Sequence, residues 1–194
     1  MRSLHLSRRR LLAAWFAGAC AFVYAAAPTP PPALADDPAC TAQDRILMKR
    51  ANDLAASAVK HGSSPYGALL VVDGKIILEF ENNTRTSGDA THHAETGLIS
   101  LASRRLGREA LAKTVLYTST EPCIMCCGAI RMAGIKKFVY GTTATQVTRL
   151  RGGKLPEKPL ECREALARIG GEDVVILGPL LEAEGLAVHA TALR

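Results

Sequence analysis

Hydrophobic positions along the chain change their spacing several times, and these changes divide it into predicted helices and strands. From Thr41 to Gly62 apolar residues recur every three to four positions, which predicts a helix capped by Thr41 and ended by Gly62. Two apolar runs then flank Asp73-Gly74, a pair typical of a tight hairpin turn. The pattern therefore predicts one helix followed by two antiparallel strands.

The middle of the chain continues with alternating elements. A polar loop over residues 82–91 precedes a predicted helix that ends at Gly107, and a later helix over "CIMCCGAIRMAG" ends at Gly134. Short apolar runs at residues 113–120 and 136–143 predict buried strands. Because strands and helices alternate, we expect an α/β fold, a sheet with helices packed on its faces.

The last quarter of the chain carries weaker signals. Glycine, proline and lysine over residues 149–158 predict an exposed loop. Beyond it the pattern predicts a helix over residues 159–169, a strand over residues 173–178 and a weak helix after Pro179.

The first 35 residues have the composition of a secretory signal peptide. Arginines at positions 8–10 precede 17 mostly apolar residues, and Ala33 and Ala35 form an Ala-x-Ala cleavage pattern before Asp36. The paired arginines resemble a twin-arginine signal, which implies export of the folded protein by the twin-arginine machinery. We therefore expect a periplasmic or secreted protein.

Two other interpretations of this segment stay open. The apolar stretch approaches the roughly 20 residues that span a bilayer, so it can be a retained membrane anchor. Cys20 can be a lipid-attachment cysteine, although "AGAC" lacks the usual branched aliphatic residue. We take cleavage as the prediction: residues 1–35 form the signal peptide, residues 36–40 a loose linker in a proline-rich stretch, and residues 41–194 one folded domain.

The net charge limits the classes of partner. The whole chain carries +6, but without residues 1–35 it has 20 basic and 18 acidic residues, a charge of +2. This is a faint electrostatic footprint for a nucleic-acid-binding protein. A local basic patch over Arg149, Arg151, Lys154 and Lys158 is one interpretation of the late loop, and a solvated loop is the commoner one.

Four residues in two short motifs indicate a metal site. Cys123 and Cys126 form a Cys-x-x-Cys pair at a predicted helix start, and His93 stands at the start of another helix. Three such ligands with no fourth are typical of a catalytic zinc, which keeps one coordination position for water. Glu95, two residues after His93, can then exchange protons with that water.

These motifs resemble the zinc-dependent cytidine deaminase-like superfamily, whose signature is H-x-E followed by P-C-x-x-C. The resemblance covers residues 64–141 and includes "PYGALLVVDGKII", "GDATHHAE", "LYTSTEPCIMCCGAI" and "IKKFVYG". It is greatest to the branch of guanine deaminases and tRNA adenosine deaminases. It implies a three-layer α/β/α fold with a central mixed sheet of about five strands, and it suggests a homodimer.

The resemblance also implies roles for individual residues. His93, Cys123 and Cys126 would bind zinc, and Glu95 would carry protons from water to the ring nitrogen and the departing ammonia. Asn82, eleven residues before His93, would bond the base, with Asn83 as the alternative. Backbone groups of Ala94, Gly67 and Ala68 would complete the pocket.

Three features depart from the family pattern. His92 stands where a small residue is usual, and we expect it to be solvated or helix-capping rather than bound to substrate. Cys127 directly follows a predicted ligand and is expected to be a small buried residue, because it points about 100° away on a helix. The tail after Gly141 resembles neither guanine nor tRNA deaminases, so the resemblance leaves the substrate open.

The cysteines outside the motif allow two interpretations. In an oxidising compartment Cys40 and Cys162 can form a disulfide, with Cys127 left buried. Three unpaired thiols are as compatible with the sequence, because distance along the chain says nothing about distance in space.

The leading functional hypothesis is a hydrolytic deaminase of a nucleobase or nucleoside, with a purine favoured and guanine the first candidate. A deaminase of polynucleotides, tRNA or single-stranded DNA, is the alternative, and both the export signal and the low mature charge argue against it. A zinc module without activity is a third possibility. Glu95 argues against it, since a structural zinc site has no use for a neighbouring carboxylate.

Overall fold

A computed structural model of the protein describes residues 32–157 and 159–193. Within them the chain forms a mixed five-stranded sheet in the order β2-β1-β3-β4-β5. β1 is antiparallel to both β2 and β3, whereas β3, β4 and β5 are parallel to one another. The strands are β1 (Gly67–Val72), β2 (Lys75–Glu81), β3 (Val115–Thr120), β4 (Lys137–Thr142) and β5 (Val175–Leu177).

Helices cover both faces of the sheet. Helices α1 and α8 pack together on one face, and α3, α5 and α7 follow one another across the opposite face. The predicted three-layer α/β/α architecture is therefore confirmed. The helices are α1 (Ala42–Lys60), α2 (Thr84–Ser87), α3 (Ala94–Leu106), α4 (Arg108–Leu111), α5 (Ile124–Ala133), α6 (Ala144–Leu150), α7 (Cys162–Arg168) and α8 (Glu182–Thr191).

The alternation of side chains along β1 divides the interior into two cores. Leu69 and Val71 pack with α1, whereas Ala68 and Leu70 belong to the core under α3 and α5. All four side chains are almost completely buried, which explains why the strand is a continuous apolar run. The hairpin that follows has positive φ angles at Asp73 (48°) and Gly74 (74°), as a two-residue primed turn requires.

The helix boundaries follow local capping chemistry. Thr41 caps α1 in a reciprocal capping box with Asp44, as the sequence predicts for the start of this helix. Gly134 ends α5 in the left-handed conformation, also as predicted. Thr143 caps α6 by accepting a hydrogen bond from the Gln146 amide at 3.3 Å, and this helix overlaps the segment predicted to be a loop.

Several predicted boundaries are wrong in detail. The polar loop after β2 contains the short helix α2, and the single turn α4 lies between Gly107 and β3. Helix α7 begins at Cys162 rather than at Pro159, and β5 is confined to Val175–Leu177. The late segments are short and bounded by proline and glycine, so their hydrophobic periods span too few residues to fix their ends.

Residues 32–40 lie against the domain, which differs from the expected loose linker. The amides of Leu34 and Leu181 donate to the carboxylates of Glu182 (2.5 Å) and Asp36 (2.8 Å), respectively. Asp37 accepts from the Gly178 amide at 3.0 Å, and this bond contributes most to its lowered pKa. The rest of the predicted signal peptide, residues 1–31, lies outside the described residues. Within them, no helix has the length and hydropathy needed to span a membrane.

Among residues 32–157 and 159–193 the cysteines outside the motif, Cys40, Cys127 and Cys162, are unpaired, so the Cys40–Cys162 disulfide is not formed. The sheet explains why. Cys40 packs with the core under α1, whereas Cys162 is buried in the core under α5 and α7. The two side chains therefore lie on opposite faces of the sheet.

Candidate active site

Two helix starts meet at one end of the sheet and bring the motif residues together. His93 is the N-cap residue of α3, Cys123 is the N-cap residue of α5, and neither side chain caps its own helix. Cys126 follows in the first turn of α5. Because α3 and α5 pack side by side, all three side chains reach the same point.

The three ligand atoms form a nearly equilateral triangle. His93 Nδ1 lies 3.7 Å from the sulfur of Cys123 and 3.7 Å from that of Cys126, and the two sulfurs are 3.6 Å apart. Tetrahedral zinc with ordinary Zn–S and Zn–N bonds needs ligand atoms about 3.5–3.8 Å apart. The predicted ligand set therefore fits a zinc ion, with the fourth position left for a non-protein ligand.

The two thiols of the ligand triangle influence each other's ionisation. The hydrogen bond between the sulfurs of Cys123 and Cys126, 3.6 Å apart, lowers the pKa of Cys123 to about 5. The same bond, together with burial, raises the pKa of Cys126. Zinc binds thiolates, so its binding releases the proton that Cys126 holds.

Glu95 lies beside the ligand triangle in an almost completely buried position. Its Oε2 is 3.5 Å from Cys126 Sγ, and its Oε1 accepts a hydrogen bond from Thr118 Oγ1 at 2.9 Å. Burial raises the pKa of this carboxyl above its ordinary value. Although His93 and Glu95 are only two residues apart, the helix start allows both side chains to reach the same site.

A cavity of about 180 Å³ opens in front of these residues. Buried Glu95 forms its inner end, with His93 and the exposed Cys123 beside it, and Tyr66, residues of α6 and Arg151 complete the lining. The rings of Tyr66 and His93 are parallel within 4° with centroids 6.5 Å apart. The full lining is Tyr66, His93, Glu95, Thr120, Glu121, Cys123, Ala144, Val147, Thr148 and Arg151.

The wall of the cavity is fixed by the C-terminal helix. His189 of α8 is buried, its ring contacts Tyr66 edge-on at 5.3 Å, and its Nε2 lies 2.9 Å from Thr120 Oγ1. Arg151 Nη2 donates to His189 Nδ1 at 3.4 Å, so Nε2 is the protonated nitrogen of the imidazole. Burial, followed by the charge of Arg151, lowers the pKa of His189 to about 3, which keeps it neutral.

Glu121 also lines the cavity, but its carboxylate serves the fold. It accepts hydrogen bonds from the amides of Ala144 (3.0 Å) and Cys162 (2.8 Å), the first residues of α6 and α7. The carboxylate therefore connects the zinc motif to the helices that follow it.

The two asparagines predicted to contact the base are not among the lining residues of the cavity. Asn82 is buried, and its Oδ1 accepts from Ser63 Oγ at 2.9 Å and from the amide and hydroxyl of Thr84 at 3.2 and 3.0 Å. Asn83 Oδ1 is buried without a hydrogen-bond partner among the described residues. Neither residue lines the cavity described above, so a contact with the base stays a prediction.

The backbone groups predicted to complete the pocket are mostly built into the fold. Gly67 and Ala68 begin β1 between β2 and β3, and the Gly67 amide donates to Ser119 Oγ at 3.1 Å. Ala94 is fully buried at the start of α3. None of the three lines the cavity, and their role toward a substrate also stays a prediction.

Two departures from the family motif have structural explanations. His92 is neither solvated nor a cap, because its half-buried ring packs against Phe80 with centroids 5.5 Å apart. Cys127 is fully buried, and its sulfur lies 3.6 Å from the carbonyl oxygen of Pro122. The expectation that Cys127 is a small buried residue rather than a ligand is confirmed.

Tyr66, Thr120 and His189 belong to the site but were not predicted from the sequence. Tyr66 immediately precedes Gly67, inside a motif that the resemblance already covered, so its position was a usable signal. No sequence signal pointed to His189, because the tail resembles neither group of deaminases and only the fold brings α8 to Tyr66. Of the residues considered as a basic patch, Arg151 lines the cavity, Arg149 and Lys154 line other depressions, and Lys158 lies outside the described residues.

The fold and the ligand triangle define a zinc-dependent deaminase, a hydrolase. Residues 41–142 match the family model for the cytidine and deoxycytidylate deaminase zinc-binding region. The chain belongs to this family. Its relatives act on nucleobases, both free and within tRNA, so the chain is a member of a family of nucleobase deaminases.

Three similar proteins illustrate the range of the family. The chain is 30% identical to a probable cytosine deaminase of Schizosaccharomyces pombe over 149 residues, 76% of this chain and 90% of the relative. It is 46% identical to a guanine deaminase of Bacillus subtilis over 100 residues, 51% of this chain and 64% of the relative. A solved structure from a study of tRNA:A34 deaminases has a TM-score of 0.59 and 31% identity, covering 74% of this chain and 98% of the other.

Substitution of the zinc ligand Cys123 should remove zinc, whereas substitution of the buried non-ligand Cys127 should not. We expect Cys123→Ala to weaken zinc affinity by at least about 100-fold, since only two protein ligands remain. Cys127→Ala is the control and should retain about one zinc per chain, as the wild type does. Metal content after gel filtration, measured by mass spectrometry, checks both. Equal zinc in the two variants would contradict the assigned ligands.

Proposed function

We propose that the protein hydrolyses an exocyclic amino group of a nucleobase or nucleoside to a carbonyl, with release of ammonia. A purine is the favoured substrate and guanine the first candidate. The observation that carries the proposal is the position of Glu95 beside the ligand triangle, at the inner end of a cavity with the flat ring of Tyr66 at its side. The 46% identity to a guanine deaminase over 100 residues supports guanine.

Each residue of the cavity has a distinct part in this proposal. His93, Cys123 and Cys126 would hold a zinc ion, which supplies the Lewis acidity that makes water a nucleophile near neutral pH. Glu95 accepts a proton from the attacking water and delivers protons to the ring nitrogen and then to the leaving amine. Thr118 donates to Glu95 Oε1, which leaves Oε2 on the side of the ligands. Tyr66 provides an aromatic surface for stacking of the base.

A polynucleotide deaminase is the alternative, and the similarity to a tRNA:A34 deaminase structure favours it. Ammonia release from the zinc-loaded protein separates the candidates. The panel consists of guanine, adenine and cytosine, their nucleosides, and a tRNA anticodon stem-loop. Cytosine is included because the Schizosaccharomyces pombe relative is a probable cytosine deaminase. Turnover restricted to the stem-loop would contradict the small-molecule assignment.

Substitution of the proton carrier tests the mechanism. We expect Glu95→Gln to lower kcat by about 10²–10⁴-fold, because the amide cannot accept a proton. Zinc content should be unchanged, since Glu95 is not a ligand. Glu109→Gln, on the exposed turn α4, is the control and should have wild-type kcat. Full turnover by Glu95→Gln with normal zinc would show that another group carries the proton.

We also propose that the protein is exported in folded form and cleaved after Ala35, and the support is the sequence of residues 1–35. In a bacterial host with an outer membrane, we expect periplasmic protein that begins at Asp36. Joint replacement of Arg8, Arg9 and Arg10 by lysine should leave the protein in the cytosol, while Arg2→Lys should be exported. Fractionation with mass spectrometry of the N-terminus checks both. Periplasmic protein from the triple variant would contradict the twin-arginine assignment.

A homodimer is proposed from the surface beside the zinc ligands. Cys123 is exposed although it is a ligand, and Ile124 and Met132, two turns apart on α5, are 63% and 74% exposed. A second copy would cover this apolar stripe and the ligand together.

Charge on the stripe should prevent association. Analytical ultracentrifugation should give the wild type twice the mass of one chain. Met132→Glu should have the mass of one chain, because burial of an unpaired carboxylate in the interface is costly. Ile46→Glu is the matched control, since Ile46 is 63% exposed on α1 in the opposite layer. A monomeric wild type would contradict the proposal.

A further inference from the structure

Arg151 occupies the solvent-exposed end of the catalytic cavity. The cavity is lined both by Glu95, which is 5% exposed, and by Arg151, which is an exposed residue. It therefore extends from a buried carboxylate beside the ligand triangle to a guanidinium group in contact with water. Among the lining residues, all of which belong to the described part of the chain, Arg151 alone carries a permanent positive charge.

The guanidinium group of Arg151 has a supported position and free donors. Its Nη2 donates to Nδ1 of the neutral His189 at 3.4 Å, and the group lies over the Tyr66 ring, 5.7 Å from the ring centroid. Within residues 32–157 and 159–193 the guanidinium forms no salt bridge and no other hydrogen bond. Its remaining N–H groups are therefore available to a ligand, and little freedom is lost when they bind it.

The two carboxylates of the cavity are bound elsewhere. Glu121 accepts from the first amides of α6 and α7, at 3.0 and 2.8 Å. Glu95 accepts from the Thr118 hydroxyl at 2.9 Å and lies beside the ligand triangle. Arg151 therefore has no acidic partner in the lining, and it favours a ligand with hydrogen-bond acceptors at the exposed end of the cavity.

The bases of the panel differ in which acceptors lie opposite the reacting amine. In guanine the amine is on C2, and O6 and N7 lie on the opposite side of the ring system. In adenine the amine is on C6, and in cytosine it is on C4. The side away from the amine then has one ring or carbonyl acceptor, N3 in adenine and O2 in cytosine. Only guanine presents the pair that an arginine binds with two parallel hydrogen bonds.

We propose that Arg151 is a specificity-determining residue, which donates to O6 and N7 of guanine while C2 of the base lies beside Glu95. The assignment rests on the proposed function, because it requires the base in the catalytic cavity with its amine toward the ligand triangle. Such a pair of hydrogen bonds discriminates against a base without both acceptors by about 5–150-fold. Arg151 exchanges no proton in the reaction, because a guanidinium group stays protonated.

A guanine analogue that lacks one acceptor tests this contact. 7-Deazaguanine keeps the 2-amino group and O6 but has carbon in place of N7. We expect kcat/KM of the zinc-loaded wild type to be at least about tenfold lower for 7-deazaguanine than for guanine, and Arg151→Met to lose most of this difference. Comparison of the two proteins removes the intrinsic reactivity of the analogue, which is the same for both. An equal guanine-to-deazaguanine ratio in the wild type and Arg151→Met would overturn the assignment.

Two further variants separate the contact from the charge. Arg149→Met removes the same charge two residues earlier, where the side chain lines a separate depression, and should keep the wild-type ratio. Arg151→Lys keeps the charge but lacks the planar pair of donors, so it should not restore the ratio. An equal loss in Arg149→Met, or the full wild-type ratio in Arg151→Lys, would overturn the two-bond contact.

Direct binding separates this inference from the proposed function. Calorimetric titration of the zinc-loaded protein uses 8-azaguanine, which keeps O6 and N7. Arg151→Met should weaken binding by about tenfold or more, whereas Arg149→Met should not. If binding behaves in this way but no base of the panel is deaminated, the proposed function fails and recognition by Arg151 stands. If bases are deaminated but Arg151→Met binds 8-azaguanine as the wild type does, or guanine is not a substrate, the inference about Arg151 fails alone.

Discussion

The packing of α3 against α5 is the contact on which the site depends. Each helix contributes only its start, with His93 from one and Cys123 from the other. The ligand triangle therefore exists only while the two starts remain at their present separation. The packing is dense on the inner face, where Ala94, Leu98 and Ile130 are buried. A site assembled from two helix ends keeps its geometry because the interior between them cannot be compressed.

The cavity combines two environments that a deamination requires. At its inner end Glu95 is removed from water, which favours proton exchange over permanent ionisation. At the outer wall Arg151 remains exposed and charged, supported by a neutral histidine. The buried and the exposed groups belong to different parts of the chain, the zinc motif and the tail. Reaction type and substrate choice can therefore vary separately within this family.

The sequence predicted the parts of the molecule that local chemistry determines. The capping of α1 by Thr41 and the turn at Asp73-Gly74 depend on residues close together in the chain, and the ligands were predicted because each of the two motifs is a short local pattern. The contacts of residues 32–40 and the choice between a disulfide and free thiols at Cys40 could not be predicted in this way, since both depend on which face of the sheet a segment meets. His189 was missed on the same grounds, because its contacts with Thr120 and Tyr66 exist only after the chain has folded.

The Glu182 carboxylate binds both the segment that precedes α1 and the helix that lines the cavity. It accepts from the amide and hydroxyl of Thr143, at 2.9 and 2.7 Å, and from the amide of Leu34. Thr143 caps α6, the helix that lines the cavity. Removal of residues up to Ala35 would leave this buried carboxylate with one donor fewer, a change of about 1.5–3 kcal/mol for a charged group. Removal of the residues before Asp36 therefore lowers the stability of the carboxylate that holds Thr143, and with it the stability of the cap of α6 at the cavity wall.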